Sequence, residues 1–172
     1  MKRNKPASRR PGLASARALA FTTMAFTAVA TLPLAAAQPL SPAGVRTLSP
    51  AGAITPTGTW SLGTRAGDFV FVAGMRGIDP KNNQLVQGDE ARVRQAFLNM
   101  ELIAKSEGAT LRDAVRLVVY VTDMFRHRPI VNRIQEELWG KGPYPPRTII
   151  EVDRLNQDDI VEVEGTFYAP RK

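Results

Sequence analysis

The chain reads as an α+β protein, a mixed β-sheet with two helices packed on one face. Three observations predict this. Short β-rich runs bracket two amphipathic helical patterns in the order strands, helix, strand, helix, strands. Phe69 to Gly74 is apolar without alternation, which marks a strand covered on both faces, and the mostly β-branched residues after Arg147 likewise read as a buried strand. Two helices in one small domain cannot cover that much apolar surface, so self-association is expected to bury the remainder.

Composition narrows the function classes. The 172 residues suffice for one domain with a short appendage, and there is no cysteine, which removes disulfides and thiolate chemistry. The formal charge of +7 is unevenly spread. Six of the 23 basic residues (Lys2, Arg3, Lys5, Arg9, Arg10, Arg17) precede position 18, and no acid occurs in the first 37 positions. The remainder balances 17 basic against 16 acidic residues, so it carries no basic footprint for nucleic acid.

That basic start, the apolar run over 18–34 and the small-residue stretch Ala35, Ala36, Ala37 follow the order of a secretory signal peptide. Residues 1–37 are therefore expected to be a leader, with the mature chain beginning near Gln38 and exported to the periplasm. The shortness of the run, its threonines and Pro33 argue against a stable membrane anchor. Ser8 to Leu13 loosely resembles a twin-arginine export signal, with Gly12 where an aromatic residue or leucine is usual.

Residues 38–58, rich in Pro, Ala, Gly and Thr, read as a linker with a first short strand near Val45 to Leu48. Trp60 to Arg65 and Asp68 to Gly74 suggest a hairpin about Ala66 and Gly67. Gly74 and Gly77 around Met75 and Arg76 allow a bulge or a close backbone approach, and Asp79 to Asn83 signals another turn. Asp89 to Glu107 is the clearest helix, with Val93, Ala96, Phe97, Met100, Ile103 and Ala104 on one face and Gly108 as its stop. Asn99, beside that face, reads as a satisfied amide. Ala114 to Thr122 reads as a strand with Val115, Leu117, Val119 and Val121 on one side.

Pro129 fits the first turn of a second helix carrying Ile130, Val131, Ile134 and Leu138, ended by Gly140 and Gly142. His127 just before it reads as solvent-exposed, with no partner for a triad or metal site. Pro145 and Pro146 stiffen the approach to a strand opened by Arg147, whose planar fork suits a carboxylate; an ordinary surface ion pair is the alternative. Ile160 to Tyr168 alternates Val161, Val163 and Phe167 against Glu162, Glu164 and Thr166. A return loop over Asp153 to Asp159 would fold this strand onto the Arg147 strand as a hairpin and bring Glu162 back towards Arg147, in a register that sequence does not fix.

FVFVAG (69–74) with the Asp79-Pro80 turn, FLNMELIAKSEGAT (97–110), VRLVVYVTDM (115–124), the Tyr144 to Arg147 approach, and EVDRL (151–155) leading into IVEVEG (160–165) together resemble the Rid, or YjgF-type, reactive intermediate deaminases. The similarity runs from about Thr59 to Arg171, so residues 59–172 form the Rid-type domain. The resemblance implies a chorismate-mutase-like fold, a homotrimer with sites between subunits, and hydrolysis of imines or enamines such as 2-imino acids to 2-oxo acids and ammonia, with no cofactor or metal. It further implies that Arg147 binds the substrate carboxylate, that Glu162 and the backbone carbonyl of Ile149 hold the attacking water, and that Trp60, Ala73 and Gly74 line the cleft. Trp60 stands where tyrosine is frequent and Ala73 where serine is frequent, and Met75 and Arg76 also depart from that branch; these changes bear on the substrate. The reading from another class is a non-catalytic, exported, trimeric protein that binds small ligands or acts as a holdase.

Overall fold

The computed structural model describes residues 41 and 43–171. The expected leader over 1–37 and the first linker residues lie outside them. Strands β1 (Arg46–Leu48), β2 (Gly63–Ala66), β3 (Phe69–Arg76), β6 (Ala114–Val121), β7 (Arg147–Glu151) and β8 (Val161–Tyr168) form one sheet in the order β1-β2-β3-β8-β6-β7. A separate ribbon pairs β4 (Ile78–Asp79) with β5 (Gln84–Leu85) across the expected turn. Only the β6 and β7 pairing within the sheet is parallel, and helix α2 (Met124–Trp139) makes the crossover between them. Helix α1 (Asp89–Ser106) packs on β3 and β8. The fold class is therefore the expected one, a mixed sheet with two helices.

Why α1 forms is plain from its residues. Val93, Ala96, Phe97, Met100, Ile103 and Ala104 are all buried, while Asp89 and Glu90 in the first turn and Lys105 in the last complement the helix dipole. Buried Asn99 donates to the carbonyls of Arg76 (3.0 Å) and Ile78 (2.7 Å), tying the helix to the end of β3. Gly77 lies flush with this helix: a Cβ there would stand 2.7 Å from the Arg92 Cα. Trp139, at the end of α2, meets Phe97 edge-on with ring centroids 5.7 Å apart. Truncating either ring would cost about 3–5 kcal/mol.

The sheet's two faces differ. Leu117, Val119, Val121, Val161, Val163 and Phe167 are fully buried towards the helices. The opposite face leaves Phe69, Phe71, Ile150 and Tyr168 each at least 40% exposed. Phe69 touches Phe71 and Tyr168, with centroids 6.4 and 5.6 Å apart, so the exposure is a contiguous aromatic patch.

Several expectations are corrected. The β7 and β8 strands do not form a hairpin: β8 inserts between β3 and β6, and β6 separates it from β7. β8 belongs in the middle because Val161, Val163, Gly165 and Phe167 are all buried, whereas β7 is an edge strand and Ile150 is 40% exposed. The second helix begins at Met124, five residues before Pro129, because the Asp123 side chain caps it by accepting from the Arg126 N–H. That start turns His127 inward with Val131 and Ile134, and it is buried rather than exposed. Val115 is exposed and leaves the Leu117 side, because the pairing with β8 skips it between Ala114 and Arg116. The hairpin turn is Gly67-Asp68, since Ala66 pairs with Phe69, and Trp60 to Leu62 precede the strand.

Candidate functional site

Arg147 leaves the Pro145-Pro146 approach as the first residue of β7. Register with Leu117 places it on the helix-covered side of the sheet. There its guanidinium donates to Gln135 Oε1 (2.5 Å) and Asn132 Oδ1 (2.7 Å), two amide oxygens three residues apart on one face of α2. The start of α2 is in turn fixed to β7, because Glu151 Oε2 accepts from the Met124 N–H at 2.7 Å. Among the described residues no carboxylate lies within 4.0 Å of Arg147, so neutral acceptors orient it and its charge is left uncompensated. Burial, and secondly the Arg128 charge, hold its pKa below the ordinary arginine value. A cavity of about 350 Å³ opens here, lined by Asn132, Gln135, Glu136, Tyr144, Pro145 and Arg147.

The backbone of β7 supplies a second group. The Leu117 N–H donates to the Pro146 carbonyl and the Val152 N–H to the Val121 carbonyl, each at 2.9 Å. In an uninterrupted parallel ladder, alternate residues face the partner strand. Positions 146, 148, 150 and 152 therefore face β6, and the Ile149 carbonyl points to the unpaired edge as a free acceptor.

Glu162 lies elsewhere. It pairs with Arg76 on one side and Tyr120 on the other, on the face away from the helices. Its carboxylate covers a bulge in β3, where Ala73 and Gly74 interrupt the register between Val72 and Met75. A Cβ at Gly74 would stand 1.8 Å from Glu162 Oε1, so only glycine accommodates the carboxylate in this position. Burial raises the Glu162 pKa above the ordinary carboxylate value; Arg76 opposes that shift, and Glu164 and Asp159 add to it. Asp159, itself buried, fixes the approach to β8 by accepting from the Gly77 N–H at 3.0 Å.

The structure thus groups the expected site residues in two clusters. Ala73, Gly74 and Glu162 are together at the bulge, while Arg147 and the Ile149 carbonyl share the β7 edge. Arg147 and Glu162 are not together within one chain. They lie on opposite faces with β6 between them, and two strand spacings and three residues of rise separate their Cα atoms by roughly 14 Å. Trp60, partly buried against the core, precedes β2 near the other end of the sheet. Sequence reasoning missed Asn132 and Gln135, whose signal was their shared helical face beyond the apolar stripe; Arg76, noted there only as a departure from the family branch, is buried and donates to the Asn156 carbonyl at 2.6 Å.

A mixed sheet with two helices on one face and a bulged β3 defines the chorismate-mutase-like α+β class. The family model described as Endoribonuclease L-PSP matches residues 51–168, and the chain belongs to that family, the Rid or YjgF family of the sequence resemblance. A RutC family protein of Pyrococcus horikoshii is 35% identical over 114 residues, 66% of this chain and 89% of its own. A 2-iminobutanoate/2-iminopropanoate deaminase of Dermatophagoides farinae is 30% identical over 113 residues, 64% of this chain and 85% of its own. The structure of a probable translation initiation inhibitor from Rhodopseudomonas palustris superimposes with a TM-score of 0.72 at 54% identity, covering 74% of this chain and 99% of that one.

Proposed function

We propose that the chain hydrolyses reactive imines or enamines of 2-amino acids to 2-oxo acids and ammonia, in a homotrimer whose sites lie between subunits. The observation that carries the reading is Arg147: a cation oriented by two amide oxygens beside a cavity, with no carboxylate of the described residues to neutralise it. Such a fork is ready for a substrate carboxylate. The relative named 2-iminobutanoate/2-iminopropanoate deaminase supports the same reaction.

In this reading the carboxylate of a 2-imino acid docks on Arg147, and water held by the Ile149 carbonyl and Glu162 adds to the C=N carbon. The resulting carbinolamine releases ammonia once Glu162 has passed the water proton to nitrogen, leaving the 2-oxo acid. Burial that raises the Glu162 pKa suits it to carry that proton. Positioning of the water against an already electrophilic iminium carbon supplies much of the rate gain. Because β6 separates Arg147 from Glu162 within one chain, a complete site takes Glu162 from a second copy, and the exposed patch of Phe69, Phe71 and Tyr168 gives the copies an apolar face to bury. Residues 1–37 are proposed as an export leader, 38–58 as a linker with the first strand, and 59–172 as the working domain, active in the periplasm.

The test generates 2-imino acids with an amino-acid oxidase and traps surviving imine as semicarbazone. The full chain is expected to suppress trapping and Arg147→Ala to abolish the suppression. If the unaltered chain fails to suppress trapping with several side chains, the deaminase reading falls and a small-carboxylate-binding protein takes its place.

A further inference from the structure

Arg128 is exposed on α2, four residues before Asn132 and seven before Gln135. Residues four apart on a helix are neighbours, with Cβ atoms about 5–6 Å apart. Asn132 and Gln135 are the two groups that hold Arg147, so Arg128 lies on the helical stripe that carries them, at the margin of the cavity they line. The Arg128 charge is near enough to add to burial in lowering the Arg147 pKa.

The rest of the helix treats its arginines differently. Arg126 is paired with Asp89, and Arg133 with Glu90. Among the described residues, neither Arg128 nor Arg147 has a carboxylate within 4.0 Å. Two neighbouring cations without a counterion repel each other, and a ligand with a single carboxylate neutralises only one of them. On the other side of Asn132, one turn further along α2, Glu136 lines the cavity. The stripe therefore runs from a positive end at Arg128 to a negative end at Glu136, a polarity that favours a second acidic group at the Arg128 end.

We propose that Arg128 is a specificity-determining residue of the Arg147 site, taking the side-chain carboxylate of substrates that are imines of dicarboxylic amino acids. This rests on the reading in which Arg147 binds the 2-carboxylate. The reaction is then addition of water to the C=N carbon of an imino dicarboxylate and release of ammonium, giving the corresponding 2-oxo dicarboxylate with no redox change.

The experiment separates the two readings by measuring binding and turnover on the full chain. Binding is compared by calorimetry for 2-oxoglutarate and 2-oxobutanoate, stable products that differ by the second carboxylate. 2-Oxoglutarate is expected to bind at least about tenfold tighter, and Arg128→Ala to bring the two affinities within about twofold of each other, in the range one charge-assisted contact supplies. Arg128→Lys should restore part of the preference, because it returns the charge without the planar fork. Arg154→Ala, which removes an equal charge from a residue 80% exposed in the loop before β8, should leave it intact. Circular dichroism checks that each variant is folded, and Arg128→Gln carries the comparison if the alanine variant is not.

Equal affinities in the unaltered chain, no binding of either compound, or a preference that survives Arg128→Ala would overturn the assignment. Turnover is then measured on imines generated from glutamate and from alanine. If neither imine is hydrolysed above its uncatalysed rate, the deaminase reading fails, while the binding preference and its loss in Arg128→Ala still decide the role of Arg128. If both are hydrolysed at equal kcat/KM and the variant leaves that ratio unchanged, the deaminase reading holds and the role of Arg128 is refuted.

Discussion

Arg147 is fixed from outside its strand, by two amide oxygens of α2, whereas Glu162 is fixed within the sheet, between Arg76 and Tyr120 and over the Gly74 bulge. The first arrangement fixes the direction of a guanidinium while sparing its charge. The second buries a carboxylate, with Glu164 and Asp159 adding to the effect against Arg76, so that it holds its proton to a higher pH than an exposed glutamate. A binding group needs aim without neutralisation, and a proton carrier needs a perturbed environment. In the proposed reaction the two regions would supply these separately, on opposite faces of one sheet.

The largest expected effect breaks the first region. Arg147→Ala should reduce kcat/KM by the equivalent of about 3–5 kcal/mol, some hundredfold to several thousandfold, by analogy with losing one partner of a buried charge pair; imine trapping reads it directly. Removing the proton carrier comes next. Glu162→Gln should lower turnover by about a hundredfold while raising thermal stability near neutral pH. The sign follows from the raised pKa: the ionised carboxylate is disfavoured in the fold, so its cost to stability grows as pH rises through the ordinary carboxylate range and is full above the folded pKa. In the unaltered chain activity should fall on acidification sooner than for an exposed glutamate, and the variant should lose that limb of the pH profile.

Gly74→Ala sharpens the contrast, because a Cβ there collides with the Glu162 carboxylate and leaves Arg147 untouched. Turnover should fall by tens of fold, up to about a hundredfold, while affinity for a stable 2-oxo acid changes little; a matching loss of affinity would show that the regions are not separable. The smallest effect concerns the helix that carries the Arg147 supports. His127 is buried with both ring nitrogens unpartnered and Asp89 Oδ2 3.7 Å away, and burial lowers its pKa below the ordinary 6.5 against the pull of that carboxylate. The unfolded chain then takes up a proton that the folded one refuses, so stability should fall as pH drops below about 6.5. Melting curves at successive pH values should show this slope, and His127→Leu should flatten it.

Much of the fold was legible because local signals agreed. The Val93 to Ala104 stripe specified α1, Asn99 is the satisfied amide its position suggested, and Gly74 and Gly77 marked a bulge at Ala73-Gly74 and a close approach to α1. What failed was non-local. Nothing in Arg147 to Val152 distinguishes an edge strand from a buried one, because its apolar run reflects a helix-covered face and an open face together. The return loop suggested a hairpin, since sequence order cannot show that β8 pairs with two strands laid down earlier. His127 was misplaced because Pro129 drew attention to a helix start, while the cap from Asp123 had begun the helix a turn and more earlier. The candidate site residues could be named one by one, but their distribution over two faces depended on register, and register is a property of the assembled sheet.

The unfinished edge of β7 sets a limit on how this protein can be improved. A strand added alongside would satisfy the outward backbone groups of Arg147, Ile149 and Glu151 and harden the fold, and it would also occupy the Ile149 carbonyl that the proposed reaction needs for its water. Robustness and reactivity compete for the same row of atoms, so an engineered variant that completes the sheet should be sturdier and inert.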